Sequence, residues 1–231
     1  MTRHMDILGE IVRAAPRTGV SSHRPSRCAG TDGELCTPCF TPGTLIATDS
    51  GARPVEDLTV GDKIRTRDNG YQEIRWIGAR WLNGLQLTDY PHLKPVLIRR
   101  GALGDDLPDR DMRLSPNHRV LVASDRTALY FEEREVLCAA KHLINNRGVY
   151  EVSTTGTTYI HFMFDRHEVV LSDGAWTESF QPSDHSLKGI GNAQRSEILE
   201  LFPELQSAAG LDSYVSARRI LNRNEAKRLN E

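Results

Sequence analysis

Three of the four cysteines of this chain, Cys28, Cys36 and Cys39, lie within 12 positions of one another. A cysteine thiolate is a strong nucleophile near neutral pH, and it also binds metals and forms disulfides. Cys36 and Cys39 have the C-x-x-C spacing of zinc sites and redox pairs. A second ligand pair at close spacing is missing from the sequence, so we predict no metal site. A Cys36–Cys39 disulfide that masks one thiol is an alternative, and it would make the chemistry depend on a reductant.

The composition limits the classes of protein that can carry this chemistry. The 231 residues include 29 Lys and Arg and 31 Asp and Glu, which gives a formal net charge of −2. A general nucleic-acid binder needs a basic surplus to neutralise phosphates, and no apolar run approaches the roughly 18 residues that span a membrane. We therefore predict neither a nucleic-acid nor a membrane partner. The N-terminus lacks an apolar signal core of about 7–15 residues. The sequence thus leaves localisation open between cytoplasmic and exported without a cleavable signal peptide.

Short apolar runs separated by turn residues dominate the middle of the chain and predict an all-β unit. The expected strands are residues 44–48, 63–66, 72–77, 95–98, 112–114, 118–122, 148–152, 157–164 and 168–171. Asn69-Gly70 and Asp173-Gly174 predict tight turns, since these residues tolerate positive φ. Three-to-four spacing of apolar residues predicts helices at residues 5–14, 133–143, 194–205 and 213–229.

Changes in composition divide the chain into three regions. Residues 1–38 form a leader or linker, in which Pro, Ser, Thr, Gly and Arg dominate from Pro16 onward. Residues 39–182 form the β domain. Residues 183–231 form a helical C-terminal appendage.

Three sequence blocks carry a family resemblance. The first is Cys39-Phe-Thr-Pro-Gly-Thr-Leu-Ile-Ala-Thr48, followed by Pro54-Val-Glu-Asp-Leu58 and Val60-Gly-Asp62. The second is Leu114-Ser-Pro-Asn-His118-Arg-Val-Leu-Val122, and the third is His167-Glu-Val-Val-Leu-Ser-Asp-Gly174. In this order, over about residues 39–180, they closely resemble the Hint domain shared by hedgehog autoprocessing regions and inteins. The likeness is greatest to bacterial Hint proteins that begin Cys-Phe-Thr-Pro-Gly-Thr. It implies a Hint-like horseshoe of short strands, flanked here by short N-terminal and C-terminal helices.

The resemblance implies a reaction at the Pro38–Cys39 peptide bond. Cys39 would add to the carbonyl of Pro38 and convert the amide to a thioester. By the same resemblance, His118 assists departure of the amide nitrogen, Ser115 hydrogen-bonds or polarises that amide where the family more often has Thr, and His167 is a candidate helper. An unperturbed pKa of about 6.5 suits His118 to proton transfer near neutral pH. No metal or organic cofactor is implied.

Departures from the family decide the fate of the thioester. Inteins end with His-Asn before Cys, Ser or Thr, because cyclisation of the Asn releases the C-terminal flank. The matching stretch here reads Trp176-Thr-Glu-Ser-Phe180, with no Asn, so we expect no splicing. Hedgehog proteins use an Asp to activate a sterol, and the matching stretch Arg75-Trp-Ile-Gly78 has no acid. We therefore expect N-terminal cleavage by water or a small nucleophile, with the chain's own leader as substrate.

Two other functions stay open. The carbonyl of Pro38 is hindered and its ring fixes φ, and together with the missing Asn this favours a non-catalytic interaction or scaffold module. A trans-acting cysteine hydrolase that uses Cys39 and His118 is a further alternative, but the nucleophile begins its motif block, as self-cleavage requires. His161 alternates with apolar neighbours on a predicted strand, so we assign it a structural role. Asp173 is assigned to a turn, and the sequence does not determine the oligomeric state.

Overall fold

The computed structural model describes residues 11–13 and 37–229, and strands make up most of its regular structure. The strands in these ranges are β1 (Ile11–Arg13), β2 (Leu45–Thr48), β3 (Gly51–Pro54), β4 (Lys63–Arg65), β5 (Tyr71–Glu73), β6 (Trp76–Asn83), β7 (Val96–Ile98), β8 (Met112–Leu114), β9 (Arg119–Ala123), β10 (Glu135–Ala139), β11 (Val149–Glu151), β12 (Gly156–Met163), β13 (Val169–Ser172), β14 (Ala175–Glu178) and β15 (Arg219–Ile220). The helices are α1 (Gly84–Asp89), α2 (Asp125–Phe131), α3 (Asp184–Gly189), α4 (Asn192–Leu201), α5 (Ala208–Ser213) and α6 (Arg223–Lys227). The predicted all-β class is confirmed.

The largest sheet has the strand order β15-β10-β9-β14-β13-β2-β4-β5, with β3 beside β2. One of its hairpins uses a turn that the sequence predicts. Asp173 and Gly174 adopt positive φ angles of 44° and 78° and join β13 to β14. Two successive residues of this kind give a turn whose twist matches that of the paired strands. The hairpin therefore brings His167, just before β13, close to Glu178 at the end of β14.

Two smaller sheets hold the segment that begins at Cys39. One has the order β1-β6-β12 and the other the order β11-β7-β8. Phe40 bridges both of them, because it pairs with Leu114 at the end of β8 and with Ile160 in β12. The residue before it, Cys39, is thus fixed between two sheets.

Two large clusters of buried apolar side chains support these sheets, and a third, smaller cluster surrounds Cys39. The main cluster lies within the β region and includes Phe40, Phe162 and Phe164. The second cluster joins Trp76, Met163 and Phe180 to apolar side chains beyond residue 183, namely Leu187, Ile190, Ile198, Phe202, Leu205 and Tyr214. Burial of one large apolar side chain contributes about 1.5–3 kcal/mol. The C-terminal helices are therefore packed firmly onto the β region.

The α-helix predicted at residues 133–143 is wrong, because the centre of this segment is strand β10 and a single 3-10 turn, Ala140–His142, follows it. That strand lies between β9 and β15, and Val136, Leu137 and Cys138 are fully buried in it. A continuous apolar run of this length is equally typical of a doubly buried strand and of a helix segment. The helix in this region is α2, which begins where Ser124 Oγ accepts a hydrogen bond from Thr127 N.

The C-terminal predictions are partly confirmed. The helix predicted at residues 194–205 is α4, which ends at Leu201 before a 3-10 turn over Pro203–Gln206. A proline cannot supply the N–H that continues an α-helix. The helix predicted at residues 213–229 is wrong, since β15 pairs parallel with β10 and only α6 is helical there. Hydrogen bonds to the edge of β10, such as Leu221 N to Leu137 O at 2.9 Å, take the place of the helical ones.

The helix predicted at residues 5–14 lies mostly outside the described residues. Its described part, Ile11–Arg13, pairs antiparallel with β6, so the prediction is wrong for this part. The region boundaries at residues 38 and 182 stay predictions. Within residues 11–13 and 37–229, no helix has both the length and the apolar character needed to cross a bilayer.

Candidate active site

The backbone at Cys39 is held by two strands. Phe40 N donates to the carbonyl of Ile160 at 2.7 Å, and Ile160 N donates back to the carbonyl of Phe40 at 2.9 Å. Ser115 N donates to the carbonyl of Cys39 at 2.9 Å. The Phe40 ring stacks on Phe162 with 5.2 Å between ring centroids. Cys39 is therefore held in a fixed position, and only 3% of its surface is exposed.

Ser115 links the residues on either side of Pro38. Its Oγ accepts a hydrogen bond from Cys39 N at 2.8 Å and donates one to the carbonyl of Thr37 at 3.0 Å. Cys39 N is the nitrogen of the Pro38–Cys39 peptide bond. The structure thus places the Ser115 hydroxyl in direct contact with the amide that the sequence analysis assigns to it.

The thiol of Cys39 faces His161. Cys39 Sγ lies 3.3 Å from His161 Nδ1 and 3.4 Å from the carbonyl oxygen of Thr37. The imidazole ring packs against Trp76 and Phe180, with centroid distances of 5.2 Å and 5.5 Å. An imidazole nitrogen held at this distance can accept the thiol proton. The sequence assigns His161 a structural role only, and its pattern does not predict this contact with the Cys39 thiol.

His118 is buried beside Phe40 and Ser115, and neither of its ring nitrogens has a hydrogen-bond partner among the described residues. The N–H of its main chain donates to the carbonyl of Ser115 at 3.0 Å, and its ring meets the Phe40 ring edge-on at 4.4 Å. Burial lowers the pKa of His118 to about 4, although the charge of Glu178 and the polar backbone of Cys39 oppose this shift. The expectation of a pKa near 6.5 is wrong for this buried ring. His118 is neutral at pH 7 and can act as an N–H donor.

Burial also sets the protonation of the thiol and of His161. It raises the pKa of the Cys39 thiol, and hydrogen bonding to Ser115 and the charge of Arg80 oppose this only in part. Burial lowers the pKa of His161 to about 4, while the nearby side chain of Gln194, acting as an acceptor, shifts it in the opposite direction. At pH 7 the pair is therefore a neutral thiol beside a neutral imidazole. The proton must leave sulfur as the new bond to carbon forms.

His167 belongs to a second buried group. Its Nε2 lies 3.3 Å from Glu178 Oε2, and its Nδ1 accepts a hydrogen bond from Ala217 N at 3.0 Å. Arg119 holds the same carboxylate through its main-chain N at 2.8 Å and its Nη1 at 2.7 Å. Burial tends to raise the pKa of Glu178, but the charge of Arg119 and the contact with His167 hold it below its usual range. His167 makes no hydrogen bond to Cys39 in the described structure, so it is not part of the group at the thiol.

A narrow pocket lies beside the thiol. Its walls include Arg80, Leu93 and Tyr159 from the β region and Ile190 and Gln194 from the C-terminal segment. Its free space is about 10 Å³. This is room for about one water molecule. A nucleophile of that size fits the pocket, whereas a peptide from another molecule does not.

A protein-family model described as "Hint domain" matches residues 38–184. The chain belongs to the Hint domain family. The resemblance seen in the three sequence blocks is thereby confirmed, and the chain carries a module of the autoprocessing type.

Among solved structures, the Hint domain is similar to several intein-related folds. The bacterial intein-like domain from Clostridium thermocellum is 15% identical, with a TM-score of 0.40, and the match covers 61% of this chain and 97% of that chain. A DnaB intein from Synechocystis sp. PCC 6803 is 13% identical, with a TM-score of 0.35, over 62% and 98% of the two chains. The TvoVMA intein is 9% identical, with a TM-score of 0.43, and the match covers 61% of this chain and 96% of that chain. A search of curated proteins finds no match.

The Hint domain brings three of the four predicted site residues to one place, namely Cys39, Ser115 and His118. Their catalytic roles stay predictions. His161 lies 122 positions from Cys39, and no local pattern marks it as a partner of the thiol. Its place results from the pairing of Phe40 with Ile160, which carries the next residue of β12 to the sulfur.

Metal and redox alternatives depend on cysteines that the structure does not describe. Cys28 and Cys36 lie outside the described residues. The zinc and disulfide hypotheses for the C-x-x-C pair therefore stay untested. Within the described ranges, Cys39 and Cys138 are free thiols, and no group of His, Cys, Asp and Glu is arranged to hold a metal ion. Burial raises the pKa of Cys138 to about 12, so this second thiol is unreactive. That the Hint domain needs no cofactor stays a prediction.

Proposed function

We propose that this Hint domain cleaves its own chain at the Pro38–Cys39 bond through a thioester, without splicing. The position of Cys39 is the observation that supports this most. Its thiol lies 3.3 Å from His161 Nδ1, and its amide nitrogen lies 2.8 Å from Ser115 Oγ. The nucleophile and the leaving group of an acyl shift from nitrogen to sulfur are thus each in contact with a polar group of suitable chemistry.

In the first step, the sulfur of Cys39 attacks the carbonyl carbon of Pro38. A bond between sulfur and carbon forms, and His161 Nδ1 takes the thiol proton. The bond between this carbon and Cys39 N then breaks, and the nitrogen leaves as an amine that takes this proton from His161, which returns to its neutral form. Sulfur loses one proton and nitrogen gains one, so the step needs no external acid or base. The neutral imidazole of His161 suits it to this transfer at pH 7.

Ser115 and His118 act on the amide that breaks. The hydroxyl of Ser115 holds Cys39 N–H and the carbonyl of Thr37, and so it restrains both sides of the reacting peptide. The imidazole of His118 is neutral at pH 7, and its buried ring nitrogens have no other partner in the described structure, so its N–H group is available to donate to this amide as it breaks. Preorganised donors of this kind are effective because they need no rearrangement during the reaction.

Water resolves the thioester in the second step. It attacks the carbonyl carbon of Pro38, the bond to sulfur breaks, and the products are a carboxyl group on Pro38 and a free thiol on Cys39. The pocket beside the thiol has room for about one water molecule. No Asn lies in residues 176–180, so the C-terminal flank is kept.

The mass of the purified full-length precursor tests this function. We expect fragments 1–38 and 39–231, and hydroxylamine should speed their appearance because it attacks thioesters readily. Cys39→Ala should abolish cleavage, whereas Cys138→Ala, at the other described free thiol, should not. A precursor that stays intact at acid, neutral and basic pH, with or without hydroxylamine or dithiothreitol, contradicts the proposal.

A non-catalytic interaction or scaffold module is the second candidate. Pro38 supports it, because this residue is buried and its hindered carbonyl must be reached by the Cys39 sulfur. An intact precursor with a folded Hint domain would favour this function. A hydrolase acting on other proteins is disfavoured, since Cys39 is almost fully buried and its pocket is small.

A further inference from the structure

We propose that Gln194, in helix α4, is a positioning residue that holds His161 in the tautomer whose Nδ1 lone pair faces the Cys39 thiol. This inference rests on the proposed function, because it names the residue that prepares the base of that reaction. Gln194 lies beyond the segment 38–184 that matches the family. The C-terminal segment of this chain then contributes to the chemistry as well as to the packing.

The amide of Gln194 has a fixed orientation. The residue is completely buried, and its Nε2 donates a hydrogen bond to the carbonyl of Ala79 at 3.1 Å. Because the amide nitrogen is engaged there, Oε1 must point to the other side. Oε1 is buried and has no hydrogen-bond partner among the described residues. A buried acceptor without a partner costs about 1–3 kcal/mol, so a donor is needed on that side.

That donor is the outer ring nitrogen of His161. His161 Nε2 is also buried, and it likewise has no hydrogen-bond partner among the described residues. Gln194 and His161 line the same narrow pocket, and the proximity of the Gln194 side chain acts to raise the pKa of His161. An amide oxygen can only accept, so His161 Nε2 carries the proton. Nδ1 is then left with a lone pair, 3.3 Å from Cys39 Sγ.

Strand β6 is shaped to let helix α4 approach. Gly78 pairs directly with His161, and a Cβ at this position would lie 3.1 Å from Gln194 Nε2 and 2.6 Å from the Trp76 ring. The same Trp76 ring stacks on His161, and its Nε1 donates to Glu197 Oε2 at 3.1 Å. Since Glu197 also belongs to α4, the helix that carries Gln194 is anchored to the residue that supports the imidazole.

The first test measures the tautomer of His161 directly. The full-length chain with Cys39→Ala neither cleaves nor offers a thiol, so among the described residues Gln194 is left as the polar group that selects the tautomer. We expect ¹⁵N NMR of the His161 ring to show a proton on Nε2. A proton on Nδ1 overturns the proposal. This readout does not depend on cleavage, so failure of the wild-type precursor to cleave would contradict the proposed function alone.

The second test removes the acceptor. Gln194→Met keeps the length of the side chain but has no amide oxygen. In the Cys39→Ala chain, we expect this change to give a mixture of both His161 tautomers. In the chain that keeps Cys39, we expect it to slow cleavage about 10- to 100-fold. Gln206→Met is the matched control, because Gln206 also donates to a carbonyl, that of Leu199 at 3.2 Å, but lies away from the site. An unchanged tautomer in Gln194→Met, or a rate within about twofold of wild type, overturns the proposal. If Gln194→Met does not fold, the first test decides, since it leaves Gln194 in place.

Discussion

Cys39 and the two histidines near it lie in a low-dielectric environment that disfavours charge on each of them. The pKa of the thiol is raised, and the pKa values of His118 and His161 are lowered to about 4. A buried neutral thiol reacts poorly with molecules in solution, because the thiolate is the nucleophile. It can still react with a carbonyl held beside it if a base takes its proton during the attack. At the scale of the residue, burial thus restricts Cys39 to chemistry within its own chain.

The same burial makes stability depend on pH. His118 and His161 have pKa values of about 4 in the folded chain, against about 6.5 in an unfolded one. Between these values the unfolded state binds protons that the folded state does not. The free energy of unfolding should therefore fall as pH is lowered from about 6.5 to about 4, by up to about 1.4 kcal/mol per pH unit for each histidine. Urea denaturation at a series of pH values measures this slope.

Single variants separate the contribution of His161 from that of other groups. His161→Gln removes one of the two buried imidazoles whose pKa values are lowered to about 4 and should lower the slope, whereas His92→Gln, at an exposed histidine, keeps both of them and serves as the control. Burial raises the pKa of Asp173 to about 6, which makes the free energy of unfolding rise as pH is lowered. This effect is the same in the wild type and in both variants, so it does not change the comparison. Equal slopes in the wild type and His161→Gln would contradict a lowered pKa of His161 in the folded chain.

At the scale of the element, the β13–β14 hairpin positions the second buried group. His167 and Glu178 lie at its two ends, and its turn is joined to β2 because Leu45 N donates to Asp173 Oδ1 at 2.9 Å. The positive φ angles of the turn keep β13 and β14 in the register that pairs Val169 with Glu178. The hairpin therefore places the carboxylate whose charge acts on His118.

Gly174→Ala should destabilise this hairpin strongly. The residue has a φ of 78°, and a Cβ there would lie 2.7 Å from Asp109 Cγ. Gly70→Ala is the matched control, because Gly70 lies in another turn with a φ of 65° and a Cβ there would meet nothing within 4 Å. We expect roughly 1 kcal/mol of lost stability from Gly70→Ala and roughly 2–3 kcal/mol from Gly174→Ala, measured by thermal unfolding. Equal losses would show that the contact with Asp109 is relieved without cost.

At the scale of the whole molecule, the C-terminal segment and the β region share one structure. Residues from both form the cluster around Trp76 and Phe180, and β15 extends the large sheet beside β10. Arg218 adds ion pairs to Asp68 at 2.7 Å and to Glu135 at 2.8 Å. The segment therefore covers apolar surface that the β region would otherwise expose.

A chain that ends at Pro182 should not fold stably. It lacks the apolar side chains that cover Trp76, Met163 and Phe180. At about 1.5–3 kcal/mol for each large side chain, their loss is on the order of the 5–15 kcal/mol that stabilises a typical domain. Circular dichroism during heating should show no cooperative transition near that of the full chain, while Leu201→Ala, at an exposed side chain of the same segment, should unfold as the wild type does. Cooperative unfolding of the shortened chain at the wild-type temperature would instead establish residue 182 as a domain boundary.

The sequence by itself determined the family, the β class, the Asp173-Gly174 turn and the block that begins at Cys39. These features depend on neighbouring residues, whose order, alternation and φ preferences can be read along the chain. The same local signal is ambiguous for a short apolar run, which is why residues 133–143 suggested a helix while β10 is a strand buried between two others.

Only the tertiary structure decided which groups meet the thiol of Cys39 and in which protonation state. His161 reaches Cys39 across 122 positions, and Gln194 reaches the carbonyl of Ala79 across 115. Such contacts arise from strand pairing and helix docking, and a sequence pattern of a few residues does not encode them. The pKa shifts of Cys39, His118 and His161 have the same cause, because burial is a property of the packed molecule and not of the residue.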